Sequence, residues 1–373
     1  MRAANVLHLG VKELRSLARD PMLLVLIVYA FTFSVYAAAT AMPETLNNAA
    51  IAIVDEDRSP LSARITDAFY PPYFLRPEMI TPAEMEDRMD AGLDTFALDI
   101  PPEFQRDLLA GKTPTIQLNV DATRVSQAFT GSSYIQTIVT DEVRTFVQRY
   151  RDDPRPPVAL TDRMRFNPEL NRSWFGAIVD VINNVTMLSI VLTGAALIRE
   201  REHGTIEHLL VMPVTPFEIM TSKVWAMALV VLGACAFSLV VVVQGLLAVP
   251  IEGSVVLFLA GAALHLFATT SMGIFLATIA RSMPQFGLLL ILVMLPLQML
   301  SGGLTPRESM PEFVQFVMLA APTTHFVMLA QAILYRGAGL AVVWPQFLAL
   351  AVIGAAFFSY ALARFRATVG TMG

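Results

Sequence analysis

Six apolar runs fix what this chain can be. Residues 22–42 pass without a charge. Further runs cover 174–198, 224–249, 255–280, 286–304 and 341–363. A bilayer core needs about 20 apolar residues per helical crossing, and each run meets or approaches that length. Composition agrees: 55% of the 373 residues are hydrophobic and only 15% are charged, where a soluble domain carries roughly 25%. Residues 3–19 place Val6, Leu7, Val11, Leu14 and Leu17 on one helical stripe beside Lys12, Arg15 and Arg19, the pattern of an interfacial helix. Asp20-Pro21 then starts the first span. Ala37, Ala38 and Ala39 imitate a signal cleavage site, but the preceding segment is too long and too structured for a signal peptide, so the span is read as retained.

Between the first and second runs the character changes. Residues 43–172 hold 21 of the 31 acidic residues and 14 of the 26 basic ones, a net charge of −7. Strand patterns at 51–55, 95–100 and 115–120 alternate with helical stretches at 60–69, 82–91, 102–110 and 124–150, which predicts a small α/β domain. Asp152-Asp153-Pro154-Arg155-Pro156-Pro157 reads as a rigid linker back to the membrane. The domain has neither histidine nor cysteine, so His or Cys metal sites and nucleophiles are excluded there; Asp55, Glu56 and Asp57 read as a capped turn rather than a cation site. The single cysteine, Cys235, lies in an apolar run and rules out an intrachain disulfide. The stretch 313–334 is apolar, yet Pro322 and His325 interrupt it, and Pro306 and Pro311 precede it. It predicts two short helices returning to one face. Counting basic residues on each side puts both termini in the cytoplasm and 43–172 outside.

The densest motif lies at 199–223. Arg199, Glu200, Arg201, Glu202, His203 and Glu207 crowd nine residues; Gly204-Thr205 opens an amphipathic turn with Leu209 and Leu210, and Pro213 and Pro216 stop it. The pattern Arg-Glu-Arg-Glu-x-Gly-Thr-x-Glu-x-Leu-Leu-x-x-Pro, followed by Glu218 and Lys223, resembles the cytoplasmic loop of ABC-2 type transporter permeases. In that family the loop is a coupling helix that docks on a separate ATP-hydrolysing subunit. The resemblance therefore assigns coupling to Arg199, Glu200, Arg201, Glu202, Gly204, Thr205, Glu207, Leu210 and Pro213. A second match, Leu300-Ser301-Gly302-Gly303-x-x-Pro306, Met310-Pro311 and Pro322-Thr323-Thr324-His325, resembles the end of these permeases and implies re-entrant helices at 305–336. The plan of an outer domain after the first span, with Ile100-Pro101-Pro102-x-Phe104, resembles a subgroup of bacterial exporters that work with a periplasmic adaptor protein.

The expected fold is thus an α-helical membrane protein with six transmembrane helices and an α/β periplasmic domain inserted between the first and second spans. Residues 1–21 are the interfacial helix, 22–42 the first span, 43–172 the periplasmic domain and 173–373 a five-helix transmembrane domain. The resemblance implies an inner-membrane permease subunit that pairs with an identical or homologous second subunit, an ATP-binding subunit and the adaptor. No cofactor, metal or nucleic acid is expected. Gly111-Lys112 lacks the upstream glycine of a phosphate-binding loop, so the chain is not expected to be an enzyme. An ion-driven transporter calls for several intramembrane carboxylates and repeated halves; only Asp180 is present and no repeat is evident. A signalling protein with an outer sensor domain leaves the Gly-Thr-x-Glu loop unexplained. Ionisable and amide groups at membrane depth are pathway candidates by default: Asp180, Asn184, His265 and Gln298, with interhelical hydrogen bonding as the competing role.

Overall fold

A computed structural model describes residues 3–40, 46, 48–121, 125–150, 172–202, 204, 214–280 and 282–370. The chain forms two compact units, one of Met1–Met42 with Met164–Gly373 and one of Pro43–Arg163.

In the first unit, α1 (Ala3–Ala18) precedes α2 (Pro21–Thr40). Asp20 caps α2, its Oδ1 accepting from Leu23 N at 3.2 Å, and Pro21 takes the first helical position, where its missing N–H costs nothing. The later long helices are α7 (Arg172–Glu202), α8 (Pro216–Leu246), α9 (Val255–Ile279), α10 (Met283–Leu300) and α13 (Leu340–Gly370). With α2 they make six candidate spans among the described residues. The hairpin of α11 (Glu312–Met318) and α12 (Pro322–Tyr335) is bent by 93°. At 1.5 Å per residue, α12 reaches about 21 Å, short of the ~30 Å of a bilayer core. Two short helices thus fall within 305–336.

The spans divide into centre and flank. α7 is 78% buried over its most apolar window and α9 56%, whereas α10 and α13 are each 17% buried. The centre is closed by Ile178, Ile182, Val185 and Leu188 of α7 with Phe258, Ala262 and Leu266 of α9 and Phe326 of α12. The outward faces of α10 and α13 carry Leu288, Leu292, Val342 and Val352, as lipid-facing helices do.

Two local readings change. Pro216 begins α8: Thr215 Oγ1 accepts from Glu218 N at 3.3 Å and Glu218 Oε2 accepts from Thr215 N at 2.9 Å. This capping box starts the helix eight residues before the apolar run at 224, so Glu218, Ser222 and Lys223 are buried helical residues rather than loop. In α1 the buried face is Gly10, Glu13 and Leu17, and Leu7 of the apolar stripe is 57% exposed. A carboxylate on the packed face has a partner that hydrophobic periodicity does not reveal.

The second unit has a four-stranded sheet in the order β2 (Glu78–Met79), β1 (Ile51–Asp55), β3 (Phe96–Ile100), β4 (Gln117–Val120). β1 runs parallel to β2 and β3; β4 is antiparallel to β3. Helices α3 (Pro60–Asp67), α4 (Pro82–Asp90), α5 (Phe104–Leu109) and α6 (Val125–Tyr150) complete it. Strand β2 is two residues long, too short to have shown an alternation. The core joins Ile51, Ile53, Leu61, Ile65, Phe74, Phe96, Leu98 and Ile100. Asp55 Oδ1 accepts from Asp57 N and Arg58 N at 3.1 and 2.8 Å, and Oδ2 from Ser62 Oγ at 2.8 Å, so this carboxylate is spent on the turn into α3.

Candidate functional site

The charged motif lies where α7 ends, and each of its four charges goes to a different neighbour. Arg199 Nη1 stands 2.9 Å from Asp20 Oδ2, at the joint between α1 and α2. Glu200 receives Lys12 Nζ of α1 at 2.6 Å on Oε1 and faces Lys223 Nζ of α8 at 2.8 Å on Oε2. Arg201 donates to the last carbonyls of α9, Ala280 O at 2.5 Å and Ala277 O at 2.7 Å. A cation there complements the negative end of the helix dipole. Glu202 Oε1 accepts from Met283 N at 2.9 Å, capping the first turn of α10. Four consecutive residues thus reach α1, the α1–α2 joint, α8, α9 and α10. A helix turn points four successive side chains about 100° apart, which is what lets one turn serve several neighbours.

The centre of this clamp is a tetrad of alternating charge, with Glu13, Glu200 and Lys223 buried and Lys12 half-exposed at its edge. Lys223 Nζ also binds Glu13 Oε1 at 2.8 Å, and Lys12 Nζ lies 3.5 Å from the same oxygen. The Lys223 side chain is 2% exposed. Burying an ammonium is costly unless it is paired, and here two carboxylates flank it. Burial works against charge on Lys12, but its hydrogen bond to Glu200, helped by the charges of Glu200 and Glu13, outweighs this and raises its pKa above the ordinary 10.5. Gly10 lets α1 close onto α8, because a Cβ there would run into the Trp225 indole, whose Nε1 donates to Val6 O at 3.3 Å.

Gly204 has φ +68°, in the left-handed region that glycine tolerates, and its N–H closes a turn on Arg201 O at 3.1 Å. His203, Thr205, Glu207, Leu209, Leu210 and Pro213 lie outside the described residues.

The membrane-depth candidates fall into separate groups. Asp180 and Asn184 are one turn apart on α7. Asp180 Oδ2 accepts from Ser34 Oγ and Asn184 Nδ2, both at 2.8 Å, and Asn184 Nδ2 also donates to Ala30 O at 2.7 Å. Ala30–Ser34 is a π turn in α2, where the helical ladder is shifted and a carbonyl is open to a side-chain donor. His265 is fully buried and stacks on Phe326 with ring centroids 4.2 Å apart. Thr186 gives its hydroxyl hydrogen to Ile182 O, so its oxygen accepts from His265 Nε2 at 2.9 Å. Ser189 Oγ donates to Thr269 Oγ1 at 2.6 Å one turn on. Gln298 is half-buried on α10, and no described hydrogen bond of its side chain joins it to the other three. Asp180, Asn184 and His265 are all held by other helices through hydrogen bonds.

The six candidate spans of unit one make this a multi-pass membrane protein. The model of the ABC-2 family transporter protein matches residues 21–363, and the chain belongs to that family. It is 66% identical over 368 residues to the inner membrane transport permease YhhJ of Escherichia coli strain K12, covering 99% of this chain and 98% of that one. Over 364 residues it is 28% identical to the probable multidrug ABC transporter permease YbhR of the same strain, covering 96% and 97%. A third relative, the probable multidrug ABC transporter permease YbhS, is 27% identical over 357 residues. These relatives are described as permeases rather than enzymes.

Proposed function

We propose that this chain is the membrane subunit of an ATP-driven exporter of the bacterial inner membrane, that it works as a pair around the pathway, and that the force comes from a separate ATP-hydrolysing subunit at 199–223. The observation that carries this reading is the clamp at the end of α7. A displacement of the loop root acts on Arg199, Glu200, Arg201 and Glu202, and through them on α1, α8, α9 and α10 at once. The buried Glu13–Lys223–Glu200 group makes that root stiff, so a push is transmitted rather than absorbed. Gly204, Thr205, Glu207, Leu210 and Pro213 form the docking segment itself. Both termini and this loop are cytoplasmic. The unit at 43–163 lies in the periplasm, where a soluble adaptor protein meets it. The cargo class is drug-like, on the multidrug description that YbhR and YbhS carry. Asp180, Asn184 and His265 align the helices around the pathway, and Gln298 faces it.

The test is co-purification of the tagged chain with an ATP-hydrolysing protein, followed by ATP turnover of the complex. Gly204→Pro forces φ to about −65° where the chain needs a positive value, and Glu207→Lys reverses one charge in the docking segment. Each variant should remain in the membrane at parental abundance and lose stimulated ATP turnover. Parental turnover by assembled complexes of both variants would overturn the coupling assignment.

A further inference from the structure

Unit one contains a cavity of about 510 Å³ at the end of the spans opposite the charged clamp. It is framed by the loop that follows α10, by α12 and by the first turns of α13. Its polar wall is Ser301, Arg307, Gln331, Arg336 and Gln346, with the carboxylate of Glu308 also present; Val327, Met328 and Val343 line the apolar side.

Two observations say that this wall is built for a ligand. First, the loops at 247–254 and 301–339 contain two basic residues, Arg307 and Arg336, and both line this one cavity although 29 positions separate them. Second, neither guanidinium is in an ion pair among the described residues. Arg307 reaches only Met328 Sδ at 3.8 Å and Gln315 O at 3.4 Å, both long, and its Nε is buried without a partner. The buried Nε of Arg307 is a donor held unpaired beside aliphatic side chains, and it costs free energy unless something completes it. Arginine is the side chain best matched to a phosphate or carboxylate head, through its fork of donors.

We propose that this cavity binds the anionic head of an amphiphile, with the head on Arg307 and Arg336 and the tail along Val327 and Val343 of α12 and α13. The assignment does not rest on ATP coupling, and its test involves no ATP. Two sources share this chemistry, a membrane phospholipid and a single-chain amphiphile arriving from solution.

Native mass spectrometry of the purified full chain reads both. One arm uses nanodiscs of phosphatidylglycerol against phosphatidylcholine; the other adds dodecyl phosphate, with inorganic phosphate as the tail-less control. The parent should retain phosphatidylglycerol in preference to phosphatidylcholine, or dodecyl phosphate in preference to inorganic phosphate; which arm responds identifies the source. Arg307→Gln with Arg336→Gln should lower retention about tenfold or more, the loss of at least one charge-assisted hydrogen bond. Arg307→Lys with Arg336→Lys should keep an intermediate level. A parent that retains neither amphiphile selectively overturns the proposal without recourse to any variant. So does a folded glutamine pair that binds like the parent. Equal retention of inorganic phosphate and dodecyl phosphate, with no preference for phosphatidylglycerol over phosphatidylcholine, overturns the amphiphile assignment.

Discussion

At the residue scale, Lys223 shows how a charge can sit inside a membrane protein without being a transport group. Its ammonium is shielded from water and held between Glu13 and Glu200. Removing one partner of a buried pair typically costs about 3–5 kcal/mol, because an uncompensated charge remains. Lys223→Met should therefore lower the thermal unfolding midpoint of the purified chain sharply. Adding Glu13→Gln to that variant removes a stranded carboxylate and should recover part of the loss; no recovery would mean that the tetrad is not energetically coupled. Lys12 adds a pH signature. Its folded pKa is raised, so its contribution is complete below the unfolded value of 10.5 and disappears only as pH rises through the folded value. The gap in midpoint between parent and Lys12→Met should be constant from about pH 6 to 9 and shrink above the unfolded value. A gap that closes already near pH 7 would assign the effect to another group.

At the element scale, the helices were legible and their partners were not. A run of 20 uncharged residues leaves a chain few choices, so the spans follow from sequence, as does the bent hairpin from its prolines. Strands β1, β3 and β4 carry enough β-branched and apolar residues to be seen; β2 does not. From sequence Pro216 reads as a stop, while the Thr215–Glu218 capping box makes it the first residue of α8. The inward turn of Glu13 was not visible because Lys223 is 210 positions away. The charge cluster at 199–202 was conspicuous, but a sequence cannot say that its carboxylates and guanidiniums face five different elements. The α2–α7 contact gives a test of what the intramembrane polar groups do. Asn184→Leu deletes hydrogen bonds to Asp180 and Ala30, each worth ~0.6 kcal/mol on average in a membrane bundle. It should lower the unfolding midpoint modestly and leave export near the parental level. Export lost with an unchanged midpoint would instead put Asn184 on the pathway.

At the scale of the whole molecule, the helical order alternates the loops between two faces of unit one. The face with α1, the α7–α8 loop, the α9–α10 joint and the end of α13 carries Lys12, Arg15, Arg19, Arg199, Arg201, Lys223, Arg364 and Arg366 among the described residues, against Arg172, Arg307 and Arg336 on the other. Lysine and arginine accumulate on the cytoplasmic side of membrane proteins, so the clamp face should be inside. Cys235 is buried and is the chain's own thiol; Cys235→Ser removes it and gives a clean background. On that background Ser16→Cys tests the clamp face, Ser309→Cys the opposite face and Ser133→Cys the second unit, all at exposed positions. A membrane-impermeant maleimide added to intact spheroplasts should label the Ser309→Cys and Ser133→Cys variants and spare Ser16→Cys, which should react only after permeabilisation. Labelling of Ser16→Cys in intact cells would invert the orientation and remove the coupling proposal with it, since an ATP-hydrolysing subunit can reach only the inner face.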